Sequence, residues 1–473
     1  MLAEICRLGD REALRFYNGF RTWKLTYRQL YGQVGAFCGH LDRAGLQKGD
    51  RVILWGENRL EWVSAFWACV ARGVHIVPVD YRSSPGLVAR IHGEVHARLI
   101  VTGDAVDYQG LGIPQFSFSQ FAGMEIPERF EVSAISPDDI VEIVYTSGTT
   151  GEPMGVVHRH KNMCANLTPI QREMRKHERL ARPFQPVRIL DMLPLSHLFG
   201  QSMGIFIPPF LGGAAVFMLE MHAGAIFDTI RRERVSVLVS VPKLLANLRH
   251  EVERKFQPRD VPARLKGIPG IFERWWRYRK VHAALGYKFW ALVVGGAEVN
   301  VAAEAFWLRL GFLVIQGYGL TETSPVVALN HPFNARAGSI GKPLPGQEVK
   351  IAADGEILVR GASVIDEYLG ARAGQHGLLD DGWLHTGDIG ELDADGRLYY
   401  KGRKKEMIVT SEGLNVYPQD VERVLNAVAE VKDSAVVASR RGGEEQVHAA
   451  LILRDMSADP AVVVAEANRR LES

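Results

Sequence analysis

The stretch RVILWGENRLEWVSAFWACVARGVHIVPV, residues 51–79, decides the fold class. Arg51 to Trp55 and His75 to Val79 are short β-rich runs of strand length, and Glu61 to Arg72 between them reads as a helix. Working outward, Thr26 to Ala44 has apolar positions spaced for one face of an amphipathic helix. Val88 to Val95 follows as a helix and Leu99 to Val101 as a strand. The alternation returns at Ile189 to Leu193, in the helix after Leu198, and at Ala214 to Met218, Ala225 to Glu233 and Val237 to Val239. Phe289 to Val294 runs into Gly295-Gly296, and Phe312 to Gln316 runs into Gly317-Tyr318-Gly319. Such alternation predicts βαβ units and a largely parallel sheet, with ligands at its strand ends.

The texture changes after Pro332. Residues 332–402 are rich in Gly and Asp turns with short β segments, which predicts an antiparallel or barrel-like subdomain. Beyond them Pro418 to Val428 reads as a helix, Ser434 to Ser439 and His448 to Leu453 as strands, and Ala461 to Leu471 as a helix. The expected architecture is therefore α/β. A large N-terminal domain, 1–402, combines layered and largely parallel sheets, helices and the small β subdomain. A small α+β domain, 403–473, follows it.

A chain of 473 residues, 47% hydrophobic and 23% charged, is long enough for two or three domains. A formal charge of +2 gives no whole-protein case for nucleic acid or membrane. Cys6, Cys38, Cys69 and Cys164 have neither metal nor redox spacing and read as thiols in a reducing compartment. The N-terminus lacks the pattern of a secretory signal. Ile205 to Met218 is interrupted by Pro208, Pro209, Gly212 and Gly213, and is shorter than the roughly 20 residues of a spanning helix. A soluble cytoplasmic protein, monomeric or homodimeric, is expected. The interval Arg249 to Lys288 is basic and aromatic around Trp275, Trp276, Arg277, Tyr278 and Arg279, and reads as a partly packed surface helix with at most peripheral membrane contact.

The chemistry is written at Tyr145-Thr146-Ser147-Gly148-Thr149-Thr150-Gly151-Glu152-Pro153-Met154-Gly155. Backbone N–H groups of a hydroxyl- and glycine-rich turn can converge on an anion, and its hydroxyls add donors. This is a phosphate cradle in outline, without the GxxxxGK[ST] spacing of the NTPase P-loop. Met154 stands where such a loop would offer a cation.

Taken with Gly317-Tyr318-Gly319-Leu320-Thr321-Glu322-Thr323, Thr386-Gly387-Asp388 and Gly402-Arg403, the turn resembles the adenylate-forming, AMP-binding superfamily. The order and spacing of these motifs hold over some 260 residues, between Tyr145 and Arg403. The resemblance implies activation of a carboxylic acid with ATP and Mg2+ to an acyl adenylate and pyrophosphate. Transfer to coenzyme A or to an acyl carrier protein would follow. By the same resemblance Thr146, Ser147, Gly148, Thr149, Thr150 and Gly151 wrap the β- and γ-phosphates. Tyr318 stacks on adenine within Gly317-Tyr318-Gly319, beside Gly296, Ala297 and Glu298. Thr321 contacts the α-phosphate, Glu322 helps hold Mg2+, and Asp388 and Arg403 reach the ribose. His197 lies beside the acyl pocket, Lys404 belongs to the hinge of the small domain, and Ser411, Glu412 and Gly413 belong to the loop for thiol transfer. Several of these residues have plainer uses: Tyr318 in a core, Glu322 in a helix cap, Asp388 in a turn, and His197 as a hydrogen-bonded core histidine.

Two departures qualify the likeness. Met154 replaces the family's lysine near the transferred phosphates, and methionine carries no charge; Lys161 and His158 are nearby in sequence. The family's catalytic lysine, in a loop after the last helix, also has no counterpart after Leu471. A truncated small domain with impaired adenylation is expected. By resemblance the segments 288–297 and 412–418 look most like bacterial medium- or long-chain fatty acyl-CoA synthetases. Gly200, Gly204, Gly212 and Gly213 could leave room for an acyl chain or serve close packing. Two alternatives stand beside a fatty acid–CoA ligase: an acyl-AMP ligase that loads a carrier protein, and a non-catalytic nucleotide- or acyl-binding homologue. Nucleic acid is not an expected partner.

Overall fold

The computed structural model describes residues 1–108, 110–147, 153–176, 185–258, 270–296, 299, 301–330, 336, 338–370, 382–409, 415–426, 428–441, 444–455 and 459–471. Two large mixed sheets dominate the N-terminal domain. In the first, nine strands run in the order Lys342–Pro343, Ala328–Leu329, Leu313–Tyr318, Ala291–Val294, Val237–Ser240, Arg188–Asp191, Ala214–Met218, Glu12–Tyr17 and Thr22–Thr26. The six strands from Leu313–Tyr318 to Glu12–Tyr17 are parallel to their neighbours, and antiparallel strands close both edges. Val237–Ser240 and Ala291–Val294 are buried at every position, as parallel strands covered on both faces require.

The second sheet has seven strands, ordered Tyr368–Gly370, Pro153–Arg159, Ile140–Ser147, His75–Val79, Arg51–Trp55, Leu99–Thr102 and Gln115–Ser117. Arg51–Trp55 and His75–Val79 pair in parallel, with the helix Leu60–Arg72 as their crossover. That helix ends on Gly73, at φ 65°, which supplies the left-handed turn back into the strand. Thr26 starts the helix Tyr27–Arg43 through a capping box with Gln29. The phosphate turn lies between Ile140–Ser147 and Pro153–Arg159, which form an antiparallel hairpin.

The β-rich segment after 332 contains an antiparallel sheet of Gln347–Ile351, Glu356–Gly361, Leu384–Leu392 and Leu398–Arg403. The small C-terminal domain is α+β. Its two helices, Pro418–Leu425 and Pro460–Leu471, share a core with the hairpin Val431–Arg441 and Glu444–Leu453. No described helix is long and apolar enough to cross a membrane.

The glycines offered as room for an acyl chain are packing positions. A Cβ on Gly200 would lie 2.3 Å from the Pro194 carbonyl oxygen, and one on Gly213 2.3 Å from that of Val187. One on Gly204 would lie 2.7 Å from Asp191 Oδ2 and 3.1 Å from Phe217, and one on Gly212 2.7 Å from the Arg11 guanidinium.

Candidate active site

Tyr318 ends the strand Leu313–Tyr318, at the carboxyl edge of the parallel strands where open α/β sheets bind ligands. Its ring is buried and packs near Tyr400, with centroids 6.2 Å apart. Its hydroxyl donates to Asp388 Oδ2 at 2.8 Å. Asp388 lies opposite Arg403 in the four-stranded sheet, and Arg403 Nε stands 2.9 Å from Asp388 Oδ1. That contact lacks the alignment of a hydrogen bond, so the buried Oδ1 retains accepting capacity. Burial pushes the Asp388 carboxyl up to about 6; Arg403 and Tyr318 oppose the shift, while Glu322 and Glu406 add to it. The motifs around 318, 388 and 403 thus converge on one buried carboxylate.

Gly319 permits the next turn, since a Cβ there would overlap the Pro325 carbonyl oxygen at 1.7 Å. Thr321–Thr323 form one 3-10 turn. The carbonyl of Glu322 accepts from Ile365 N at 3.0 Å, and its Oε1 accepts from the Tyr368 hydroxyl at 3.4 Å. On the neighbouring strand end, Gly296 has φ 85°, a conformation glycine adopts without penalty. A Cβ on Gly295 would lie 2.5 Å from the Phe199 ring, so this aromatic closes over the strand end. Gly317 sits within Leu313–Tyr318, paired with Leu329.

Thr146 pairs with Met154 across the phosphate hairpin. The Ser147 side chain and Gly148, Thr149, Thr150 and Gly151 lie outside the described residues, as do Ala297, Glu298, Ser411, Glu412 and Gly413. Met154 is buried with Val156, Ile365 and Tyr368. Neither neighbouring basic residue takes the place of a lysine there. Lys161 is paired with Asp138 at 3.1 Å and Asp366 at 2.8 Å, while His158 is buried against Ser324.

His197 belongs to another wall. It precedes the helix Leu198–Gln201, is exposed, and has Asp80 and Arg82 as charged neighbours. Its crowded surroundings disfavour the imidazolium and lower its pKa, against the opposing pull of Asp80. Lys404 Nζ bonds Asp354 at 2.7 Å and Glu356 at 2.8 Å, and His385 Nδ1 shares Glu356 at 3.0 Å.

Sequence reasoning missed a set of buried polar residues behind the site. Glu142, on the strand entering the phosphate turn, accepts from Gln201 Nε2 at 2.8 Å, and its burial pushes its carboxyl up to about 7. His158, Asn162 and Asn166 face the turn that carries Glu322. Asn162 and Asn166, one helical turn apart directly after the phosphate hairpin, were the available signal.

The residues fit a magnesium nucleotide. Asp388 offers a buried acceptor for a hydroxyl group. Among the described residues no three metal-binding side chains cluster. One carboxylate, Glu322, together with substrate phosphates is the arrangement that suits Mg2+.

Comparison with known proteins gives the class. The sequence model of the AMP-binding enzyme family matches residues 4–369, and the chain belongs to that family. A long-chain-fatty-acid–CoA ligase of Mycobacterium bovis is 29% identical over 464 residues, which cover 87% of this chain and 75% of that protein. Among solved structures, o-succinylbenzoate CoA synthetase of Bacillus subtilis, in complex with its acyl-adenylate intermediate, matches with a TM-score of 0.78 and 24% identity. The match covers 99% of this chain and 91% of that one. ATP-bound MatB of Rhodopseudomonas palustris matches with a TM-score of 0.80 and 22% identity, covering 99% and 92%. These neighbours correct the expectation drawn from segments 288–297 and 412–418. In structure the chain is like o-succinylbenzoate CoA synthetase and MatB, and its likeness does not single out fatty acyl-CoA synthetases. The chain is an AMP-forming ligase: with ATP and Mg2+ it activates a carboxylic acid as an adenylate, and a coenzyme A thioester is the family's product.

Proposed function

We propose that the acid is compact, of the aromatic or dicarboxylic kind represented by o-succinylbenzoate, and that the acceptor is coenzyme A. The observation that carries this reading is the filled space at Gly200, Gly204, Gly213 and Gly295. Backbone carbonyls, Asp191, Phe217 and Phe199 fill the space beside these glycines, which leaves no opening for a chain at those four positions. The acids of the structural neighbours support it.

In this reading Tyr318, Gly296 and Asp388 receive the adenosine, with Asp388 Oδ1 accepting from a ribose hydroxyl beside Arg403. Thr146 and the turn after it hold the phosphates, and Thr321 holds the α-phosphate. Glu322 would hold Mg2+, which supplies charge neutralisation at the phosphates when bound. His197 and Phe199 border the acid. Positioning and charge stabilisation suffice for attack by a carboxylate, so no nucleophilic side chain is required. We place the boundary of the small domain after 402, with Lys404 at its hinge and 411–413 as the thiol-transfer loop.

Acid-dependent pyrophosphate release tests the reading, with o-succinylbenzoate, malonate and indoleacetate set against dodecanoate and palmitate. Coenzyme A and a phosphopantetheinylated carrier protein are then compared as acceptors. Release with a compact acid and formation of its coenzyme A thioester are expected. Preference for palmitate would overturn the acid class, and acylation of the carrier alone would overturn the acceptor.

A further inference from the structure

We propose that His158, Asn162 and Asn166 are positioning residues, which set the turn carrying Glu322 against the phosphate hairpin. The inference rests on the nucleotide reading above and assigns a task to residues that reading leaves unused.

The three residues leave the hairpin in sequence. His158 is on its returning strand, Pro153–Arg159, and Asn162 and Asn166 lie in the helix that follows, His160–Lys176. Four positions separate them, so the asparagines share a helix face. All three side chains are buried. Asn162 Oδ1 accepts from Arg159 N at 3.0 Å, which fixes its amide with the nitrogen pointing away from the helix start. That nitrogen donates to Ala362 O and Val364 O, both at 3.0 Å. Asn166 Nδ2 donates to Val326 O at 2.6 Å and Thr323 O at 3.3 Å.

His158 completes the set through Ser324. The Ser324 hydroxyl donates to Ser363 O at 2.8 Å, so its remaining polar contact, His158 Nδ1 at 3.0 Å, is one in which it accepts. His158 therefore carries its proton on Nδ1. Consistent with this, Nε2 is buried without a partner, and burial pushes the imidazole pKa down to about 3, keeping the ring neutral. Ser324 holds φ 62°, an uncommon conformation for a residue with a side chain, and hydrogen bonds on both sides fix it there.

The acceptors lie in two short segments, 323–326 and 362–364, and these flank Glu322. One begins at the residue after Glu322. The other leads into Ile365, whose N–H holds the Glu322 carbonyl, and on to Tyr368, whose hydroxyl meets the Glu322 carboxylate. The hairpin and the helix that leaves it are thus tied to the segments around Glu322 by four hydrogen bonds to backbone carbonyls and one to the Ser324 hydroxyl. Each asparagine bridges two carbonyls with one NH2 group. Aspartate has the same shape and, when ionised, no donor, so Asn→Asp removes the tie without a cavity, and the melting temperature reads the general cost of its buried charge.

The test measures affinities for Mg-ATP and for AMP by calorimetry, with thermal melting, on Asn162→Asp, Asn166→Asp, His158→Leu and His158→Asn. AMP lacks the β- and γ-phosphates and reads the adenosine side alone. In Asn166→Asp and His158→Leu, Mg-ATP affinity should fall about tenfold or more while AMP affinity stays within about twofold. His158→Asn, which returns a donor near the Nδ1 position, should recover most of the loss. Equal loss for both nucleotides in step with the melting temperature, or unchanged Mg-ATP affinity, would overturn the positioning role. Failure of the unaltered protein to bind either nucleotide would instead overturn the nucleotide site, and with it this inference.

Discussion

Glu142→Gln should stabilise the protein, and by an amount that depends on pH. Glu142 is fully buried between the phosphate hairpin and the helix Leu198–Gln201, with Gln201 Nε2 as its hydrogen-bond partner. Glu142 Oε1 and Gln201 Oε1 are both buried without partners, an arrangement that suits a neutral carboxyl able to donate a proton. Burial raises the carboxyl from 4.5 to about 7. Because the folded pKa exceeds the unfolded one, the folded state holds the proton more tightly. The associated stability is fully present below pH 4.5 and is lost as pH rises through about 7. A difference of 7 − 4.5 = 2.5 pH units corresponds to a loss of up to about 3 kcal/mol on the alkaline side. Glutamine keeps the shape, cannot ionise and can donate to Gln201. Denaturant unfolding of both proteins across a pH series from about 5 to about 8.5 provides the assay. The stability difference should be small at the acid end and should grow in favour of the variant at the alkaline end. Asp191 and Asp388, also raised by burial, are common to both proteins and cancel. A difference that is constant with pH would refute the reasoning, because it would mean that Glu142 folds with its ordinary ionisation.

Three further outcomes follow from the geometry. Asp388→Ala should weaken ATP and AMP binding about ten- to a hundredfold, the worth of a hydrogen bond to a charged acceptor, as read by calorimetry on folded protein. Met154→Lys puts a charge into the cluster with Val156, Ile365 and Tyr368, and should lower unliganded stability by roughly 1–3 kcal/mol. Its melting temperature should nonetheless rise more on adding Mg-ATP than that of the unaltered chain, because Tyr368 links this cluster to Glu322. Gly200→Ala drives a Cβ to 2.3 Å from the Pro194 carbonyl and must displace the loop before His197, costing about 1–3 kcal/mol by thermal or denaturant unfolding.

Much of the scaffold was legible. Arg51–Trp55, His75–Val79 and Ala214–Met218 are read from sequence to the residue, because strands buried on both faces are continuous apolar runs bounded by turn formers. Helix starts were less clear. The helix read from Val88 begins at Pro85, where Ser84 supplies the cap. The strand read as ending at Gln316 continues to Tyr318, since its last residues pair with Ala328–Leu329. The partner of the phosphate strand, Pro153–Arg159, was not read as a strand, and its pairing with Tyr368–Gly370 is a tertiary contact no local pattern announces. The glycines show the same limit. Gly204 in the sequence cannot say whether its vacant side is space or the Asp191 carboxylate. The buried ties are longer still: 59 residues separate Glu142 from Gln201, and 166 separate His158 from Ser324.

The family resemblance assigns Tyr318 to adenine and Asp388 and Arg403 to the ribose, whereas the folded chain binds the three first to one another. Tyr318 spends its hydroxyl proton on Asp388, and Arg403 opposes the burial that raises the same carboxyl. The three side chains are therefore coupled through Asp388. Protonating Asp388 below about pH 6 turns a charged acceptor into a neutral one and leaves Arg403 without its counter-charge. The loss expected for Asp388→Ala accordingly contains the loosening of two neighbours as well as one missing hydrogen bond, and substitutions at the three positions will not add. Coupling of this kind also accounts for the burial of Tyr318. Held by its hydroxyl, its ring keeps a fixed orientation at the strand end, and the entropy of ordering it is spent in folding rather than in binding.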